Sequence, residues 1–361
     1  MWSDDTPATL ETRAMKKAQR KHSKSIDKII AKDKIVARDK IKLLLLGQPG
    51  AGKSTLVKQL RLYSGDAFSQ EEVEASKMAL LENIVDAIRL VLTWREELAL
   101  PWENDVLEDE AQILVSQPSA IVLQERGWKR LLMTLVRLWR EDGMQKAYCN
   151  MPFGSPATEC LSYFLDDAVR LCSQTFIPST SDIIHVYAST CGVCDHDVTI
   201  GGTTFQLTEM GGRSLTSLKL LRFFDNVSSI VFMASCADVE RSLRHGALTS
   251  GFEETRLFFQ TIARDPFLVK LPIILLFTKL DLLVAKSNKF DLKSVFPDFI
   301  GNTHDVEDVK NYVFTTFKEK CGARRIYHHF LLGTDSHKVQ SVFADVRRDI
   351  RDNLLRKVIP E

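Results

Sequence analysis

The apolar positions of this chain follow two rhythms. Uninterrupted apolar runs of strand length recur at Ile41–Leu46, Ile230–Ala234, Ile273–Phe277 and Ile326–Leu332. Runs without polar alternation read as strands buried on both faces, as in a parallel sheet. A shorter pair, Val198–Ile200 and Thr203–Leu207, flanks the turn dipeptide Gly201-Gly202 and predicts an antiparallel hairpin. Helical spacing separates most of these runs. The expected fold class is therefore α/β: a mainly parallel sheet with helices on both faces and one antiparallel edge hairpin. Near the end, Val339, Val342, Phe343, Val346, Ile350 and Leu354 form a stripe at helical spacing that reads as core.

From about residue 64 to 178 the rhythm changes. Met78-Ala79-Leu80-Leu81, Ile84-Val85, Ile88, Val91-Leu92, Leu131-Leu132-Met133 and Leu135-Val136 recur with helical spacing and no convincing strand intervenes. This stretch is expected to be an all-α domain inserted into a nucleotide-binding domain made of 41–63 and 179–361, with 1–40 forming a basic N-terminal helix.

The first strand feeds directly into Gly47-Gln48-Pro49-Gly50-Ala51-Gly52-Lys53-Ser54-Thr55, the pattern G-x-x-x-x-G-K-[ST]. Its glycines let backbone N–H groups curl around phosphate oxygens, Lys53 offers charge to the β/γ-phosphates, and the Ser54 hydroxyl can ligate Mg²⁺. The residues from Lys53 read as a helix whose N-terminus faces the anion. At the end of a later strand stands Thr278-Lys279-Leu280-Asp281, close to the N-K-x-D of guanine-specific proteins. There the aspartate accepts from guanine N1–H and its exocyclic amine, donors that adenine lacks, so GTP is favoured over ATP. A third strand ends in Glu209-Met210-Gly211-Gly212-Arg213. Its acid can hold Mg²⁺ through water and a glycine N–H can reach a γ-phosphate. Thr190, ahead of this strand, is placed to close over the metal.

Charge changes the picture in one place. The whole chain carries a net +1, but between Glu11 and Lys42 there are twelve Lys/Arg against four Asp/Glu. The arm reads either as a solvated helix or as a contact with an anionic membrane leaflet or an acidic partner. No apolar run reaches the ~18 residues of a membrane span, and Met1-Trp2-Ser3-Asp4-Asp5 does not read as a signal peptide. Seven cysteines without regular spacing fit a reducing compartment. Cys191-Gly192-Val193-Cys194-Asp195-His196 mimics a metal knuckle, but no second ligand pair accompanies it. No nucleic-acid partner is expected.

Ser23-Lys24-Ser25-Ile26-Asp27-Lys28, the long helical insert, Phe176-Ile177-Pro178 before Asp182-Ile183-Ile184, and Tyr327-His328-His329-Phe330 complete a pattern. With the motifs above, the chain resembles a heterotrimeric G protein α subunit over roughly residues 22–355. The insert separates it from small Ras-like GTPases. The resemblance implies GTP and GDP as ligands and phosphate contacts from Gly47 through Thr55. It also implies Mg²⁺ ligation by Ser54 and Thr190 with Glu209 behind them, and γ-phosphate sensing by Gly212. Base recognition falls to Thr278, Lys279 and Asp281, with a backbone contact from Gly333. Implied partners are a βγ dimer, a seven-helix receptor and an effector.

The departures from the family pattern fall on catalysis. Tyr187 occupies the place of the family's arginine, and Arg213 that of its glutamine. A phenol carries no cation, and a guanidinium has no acceptor with which to align water. In the family's phosphoryl transfer such an arginine contributes ~10³–10⁵ in rate, so slow GTP hydrolysis is expected. Gly50 replaces the phosphate-loop glutamate and is consistent with the missing arginine. Glu209 replaces an aspartate, Thr278 an asparagine, and Gly333 lies where T-C-A-T is usual. The second switch carries Ser214, Ser217 and Leu220 at positions usually basic or tryptophan, while Glu254 keeps an acidic partner position. Ile26 and Ile30 share a face suited to a βγ dimer. Trp2 follows Met1 and the first cysteine is Cys149, so N-terminal acylation is not expected. The expected location is cytoplasmic, with peripheral contact at the inner face of the plasma membrane through the basic arm. Pro360 and the C-terminal residues differ from the usual receptor-contacting end, so receptor coupling rests on analogy. The rival readings are a pseudo-GTPase scaffold and, more distantly, a P-loop kinase with a helical lid.

Overall fold

Leu43, Leu44, Leu45 and Leu46 are all buried in β1 (Ile41–Leu46), the strand about which the sheet is built. The structure, a computed structural model, describes residues 40–117, 127–151, 156–173, 175–190, 192–211, 227–239, 251–287, 293, 296, 298–322, 324 and 326–358. β1 pairs in parallel with β3 (Thr203–Met210) on one side and β4 (Ser229–Ser235) on the other. β5 (Ile273–Thr278) and β6 (Ile326–Leu331) extend the parallel array, and β2 (Val193–Ile200) closes the far edge antiparallel to β3. The order is β2-β3-β1-β4-β5-β6.

Strand alternation explains why the β1 run is apolar throughout. Leu43 and Leu45 point into a core shared with α1 (Lys53–Tyr63) and α13 (Ser336–Val358). Leu44 and Leu46 point into the opposite core, shared with α10 (Gly251–Arg264) and α12 (Val306–Lys318). Helices thus cover both faces, as expected. On α13 the stripe Val339, Phe343, Val346 and Ile350 is buried, Val342 is partly so, and the Leu354 side chain lies outside the description. The hairpin turns at Gly201-Gly202 as expected, but β2 begins at Val193 rather than Val198. Val193–Asp197 is a polar edge held by backbone pairing to β3, so it gives no apolar signal.

Between α1 and β2 the described residues form helices alone: α2 (Gln70–Glu97), α3 (Asp105–Ser116), α4 (Trp128–Arg140), α5 (Asp142–Asn150), α6 (Pro156–Glu159), α7 (Leu161–Leu165), α8 (Ala168–Leu171) and α9 (Thr180–His185). Ser69 and Glu72 close a capping box at the start of α2, the longest of them. Its Leu80, Leu81, Ile84, Val85, Ile88, Val91 and Leu92 are buried in a core separate from both sheet cores. Each such side chain contributes about 1.5–3 kcal/mol relative to exposure. Met78, read with the same pattern, is 47% exposed and falls off that face. The helices α2 to α8 form a lobe built around this interior, to which α9 contributes no residue.

The basic arm 1–39, with Ile26 and Ile30, lies outside the described residues, as do Gly212, Arg213, Ser214, Ser217 and Leu220. Among the described residues no helix is long and apolar enough to cross a membrane.

Candidate nucleotide-binding site

β1 ends at Leu46, and the chain turns through residues 47–52 into α1. A Cβ on Gly47 would lie 2.3 Å from the Met233 carbonyl oxygen, so only glycine lets the loop leave β1 beside β4. Lys53 opens α1 and folds back over the loop, its Nζ donating to the carbonyls of Gly47 at 2.8 Å and Gln48 at 3.0 Å. Burial pushes its ammonium down to about 8, with the Glu209 carboxylate pulling the other way. A buried cation at a helix N-terminus suits a polyphosphate.

Beside it three oxygens converge. The Ser54 and Thr190 hydroxyls are 2.9 Å apart. Ser54 donates to Glu209 Oε1 at 2.6 Å, and Thr190 donates to the same oxygen at 3.1 Å. Glu209 is buried at the end of β3, so two hydroxyls and a carboxylate face one point from three elements. Hard oxygen donors of this kind fit Mg²⁺, whose affinity for oxygen exceeds that for nitrogen or sulfur. With its extra methylene, Glu209 touches both hydroxyls directly. Among the described residues no group of three or more His, Cys, Asp and Glu side chains is arranged to hold a metal, and the Cys194–His196 stretch is part of β2.

Tyr187 and Thr190 lie on the segment joining α9 to β2. Lys58 of α1 donates to the carbonyls of Ile183 and Val186, each at 2.9 Å, and burial lowers its pKa. From the other side Asn83 of α2 bonds the Tyr187 backbone. The segment is therefore held by both lobes.

At the end of β5, the Thr278 hydroxyl donates to the Ala51 carbonyl at 3.0 Å, tying that strand to the loop after β1. Lys279 adopts φ +59° and sets its Nζ 2.5 Å from Glu159 of α6, whose pKa burial raises against the pull of that lysine. Asp281 is exposed in the first turn of α11 (Leu280–Ser287). The Gly333 carbonyl accepts from Gln59 of α1 at 3.0 Å, and Gln59 in turn accepts from Ser336 at 2.8 Å. A Cβ on Gly333 would make ordinary contact with Thr55 at 3.5 Å, so the usual alanine would fit there.

The helical lobe closes over this floor. Gly50 has φ +80°, and a Cβ there would sit 2.7 Å from Pro156 Cγ at the start of α6. Gly50 thus has a steric reason of its own, beyond the missing arginine. Cys160, next to α6, is held as a neutral thiol because burial pushes it to about 12.

Pro49, Gly50, Gly52, Lys53, Ser54, Thr55, Tyr187, Thr190, Glu209, Thr278, Lys279, Asp281 and Gly333 line a single cleft of about 340 Å³. Gly47, Gln48 and Ala51 support it from behind through the carbonyl contacts above. Gly212 and Arg213 lie outside the described residues. Sequence reasoning missed Lys58, Gln59, Asn83, Pro156 and Glu159. For Lys58 and Gln59 a signal existed: a polar pair between the apolar Val57 and Leu60 of α1.

The G-protein alpha subunit family model matches residues 20–350. Guanine nucleotide-binding protein subunit alpha-13 of Homo sapiens is 30% identical over 358 residues, covering 96% of this chain and 94% of that protein. Subunit alpha-12 of Rattus norvegicus is 28% identical over 344 residues, covering 94% and 90%. The G(o) subunit alpha of Geodia cydonium is 27% identical over 337 residues, covering 92% and 94%. From its phosphate loop to its C-terminal helix, the chain belongs to the G-protein alpha subunit family.

Proposed function

We propose that this protein is a guanine-nucleotide-dependent signal transducer that alternates between GDP-bound and GTP-bound states. The observation that carries the reading is one cleft in which the phosphate loop, the Ser54–Thr190–Glu209 oxygens and Thr278–Asp281 meet beneath a helical lid. The relatives' names, guanine nucleotide-binding proteins, point the same way.

In this reading the loop N–H groups and Lys53 bind the phosphates. Ser54 and Thr190 hold Mg²⁺, and Glu209 orients their hydroxyls. The metal supplies neutralisation of phosphate charge when bound. Lys279 lays its stem along the base and Asp281 accepts from guanine N1–H and its amine. Thr190 and Gly212 make contacts that exist only with a γ-phosphate, so its loss releases both segments. Hydrolysis is slow because Tyr187 brings no cation and Arg213 no acceptor. The 64–178 insert acts as the lid. The partners are a βγ dimer at the N-terminal arm and second switch, a receptor and an effector, with the basic arm giving peripheral membrane contact.

The test is direct. Purified protein is denatured and its released nucleotide identified by chromatography, then turnover of added GTP with Mg²⁺ is followed. Bound GDP with slow phosphate release is the expected result, and family-normal turnover contradicts the slow-hydrolysis reading. Tyr187 at the arginine's place favours one alternative, a constitutively GTP-bound interaction protein or pseudo-GTPase scaffold. That alternative gives GTP retained without phosphate release, or no nucleotide at all.

A further inference from the structure

Asn83 sits midway along α2, in the helical lobe, yet both ends of its side-chain amide bond to the backbone of one residue on the segment leading to Thr190. The Tyr187 N–H donates to Asn83 Oδ1 at 2.7 Å, and Asn83 Nδ2 donates to the Tyr187 carbonyl at 3.0 Å. Reversing the amide would set oxygen against oxygen and N–H against N–H, so the orientation is fixed by its partners. Both bonds are to main chain, which leaves them indifferent to the side chain at 187. Just upstream, the Ile183 and Val186 carbonyls are held by Lys58 of α1. The stretch Ile183–Thr190 is therefore suspended between the lobes, by Lys58 on the sheet side and Asn83 on the helical side.

We propose that Asn83 is a positioning residue that makes the Thr190 segment move with the helical lobe. With the lobe closed, the bracket on Tyr187 sets the chain so that Thr190 reaches Ser54 and Glu209. When α2 withdraws, the bracket leaves with it, and Thr190 loses its placement together with the lid. One side chain thus couples release of the nucleotide to dismantling of the Ser54–Thr190–Glu209 oxygen set. Only an amide of this length fits: aspartate keeps the acceptor for the Tyr187 N–H but turns an oxygen toward the Tyr187 carbonyl, and alanine removes both bonds.

The inference rests on the nucleotide reading above, and the test separates the two. Full-length wild type, Asn83→Ala and Asn83→Asp are loaded with a fluorescent GDP, and its dissociation is followed with excess Mg²⁺. Amide hydrogen exchange of residues 183–190 is measured on the same proteins with and without GDP. Both variants are expected to release GDP about tenfold faster, one decade for about 1.4 kcal/mol of lost hold, and Asn83→Ala to lose protection of the Tyr187 amide. Circular dichroism melting confirms folding, with Asn83→Ser in reserve should a variant not fold. Unchanged release and unchanged Tyr187 exchange in the folded variants overturn the proposal. A wild type that takes up no GDP overturns the nucleotide reading instead, and loss of Tyr187 protection in Asn83→Ala then still decides whether the bracket positions the segment.

Discussion

Replacing Gly50 by alanine puts a methyl group between the phosphate loop and the helical lobe. At φ +80° any Cβ carries a left-handed penalty of about 1–2 kcal/mol, paid whether the lobes are open or closed. The collision is different. A Cβ 2.7 Å from Pro156 Cγ lies well inside contact, and the proline ring at the start of α6 cannot swing aside as a long side chain would. Forcing such an overlap costs about 1–3 kcal/mol, and this cost exists only when α6 sits on the loop. It therefore shifts the closed-to-open equilibrium by about 5- to 150-fold. If the lid retains the nucleotide, GDP dissociation measured by stopped-flow fluorescence should accelerate within that range. Pro156→Ala removes the offending Cγ and leaves only its Cβ, 3.9 Å from the added methyl. The Gly50→Ala/Pro156→Ala double variant should accordingly release GDP at close to the Pro156→Ala rate, a coupling visible in a double-mutant cycle. Release unchanged in Gly50→Ala, or strictly additive effects in the cycle, would refute the steric account of Gly50.

Thr278→Val keeps the shape of β5's end but leaves the Ala51 carbonyl without its 3.0 Å donor, so urea unfolding should show a loss of about 1–3 kcal/mol; unchanged stability would sink the tie between strand and loop. Ser54→Ala removes one of three converging oxygens; chelation of Mg²⁺ is expected to speed nucleotide release from the wild type and to have little further effect in the variant. Arg61 at the end of α1 bonds Glu72 of α2 at 2.6 and 3.2 Å and holds its carboxyl down to about 2, against an ordinary 4.5. Because the folded pKa is the lower one, this contribution is full above pH 4.5 and fades as pH falls toward 2. Glu72→Gln should flatten the fall of stability in that window only slightly, since the side chain is 42% exposed and solvent-screened, and a slope that steepens would contradict the sign.

Much of the fold could be read in the chain because burial on both faces leaves an unbroken apolar run. β1, β5 and β6 begin where those runs begin, β4 one residue earlier at Ser229, and Gly201-Gly202 marks the hairpin between β2 and β3. Val193–Asp197 was illegible for the converse reason: an edge strand secured by backbone bonds needs no apolar side chains. The phosphate-loop pattern, the oxygens of Ser54, Thr190 and Glu209, and Thr278–Asp281 could be picked out because the chemistry expected of them demands fixed residues at fixed spacing. The lid's share of the site does not. Asn83 meets Tyr187 across 104 positions, and Glu159 meets Lys279 from a four-residue helix. A lone asparagine or glutamate on a helix carries no signal until the fold brings its partner near. Gly50 was legible as a departure from the family, but its steric cause became visible only once Pro156 was seen against it.

Isothermal titration of the folded, nucleotide-stripped full chain with GDP, GTP and ATP, each with Mg²⁺, examines the cleft itself. Uptake of one equivalent of GDP or GTP, with ATP rejected for want of donors to Asp281, is the expected result. Heat of binding from neither guanine nucleotide would contradict the assignment of this cleft.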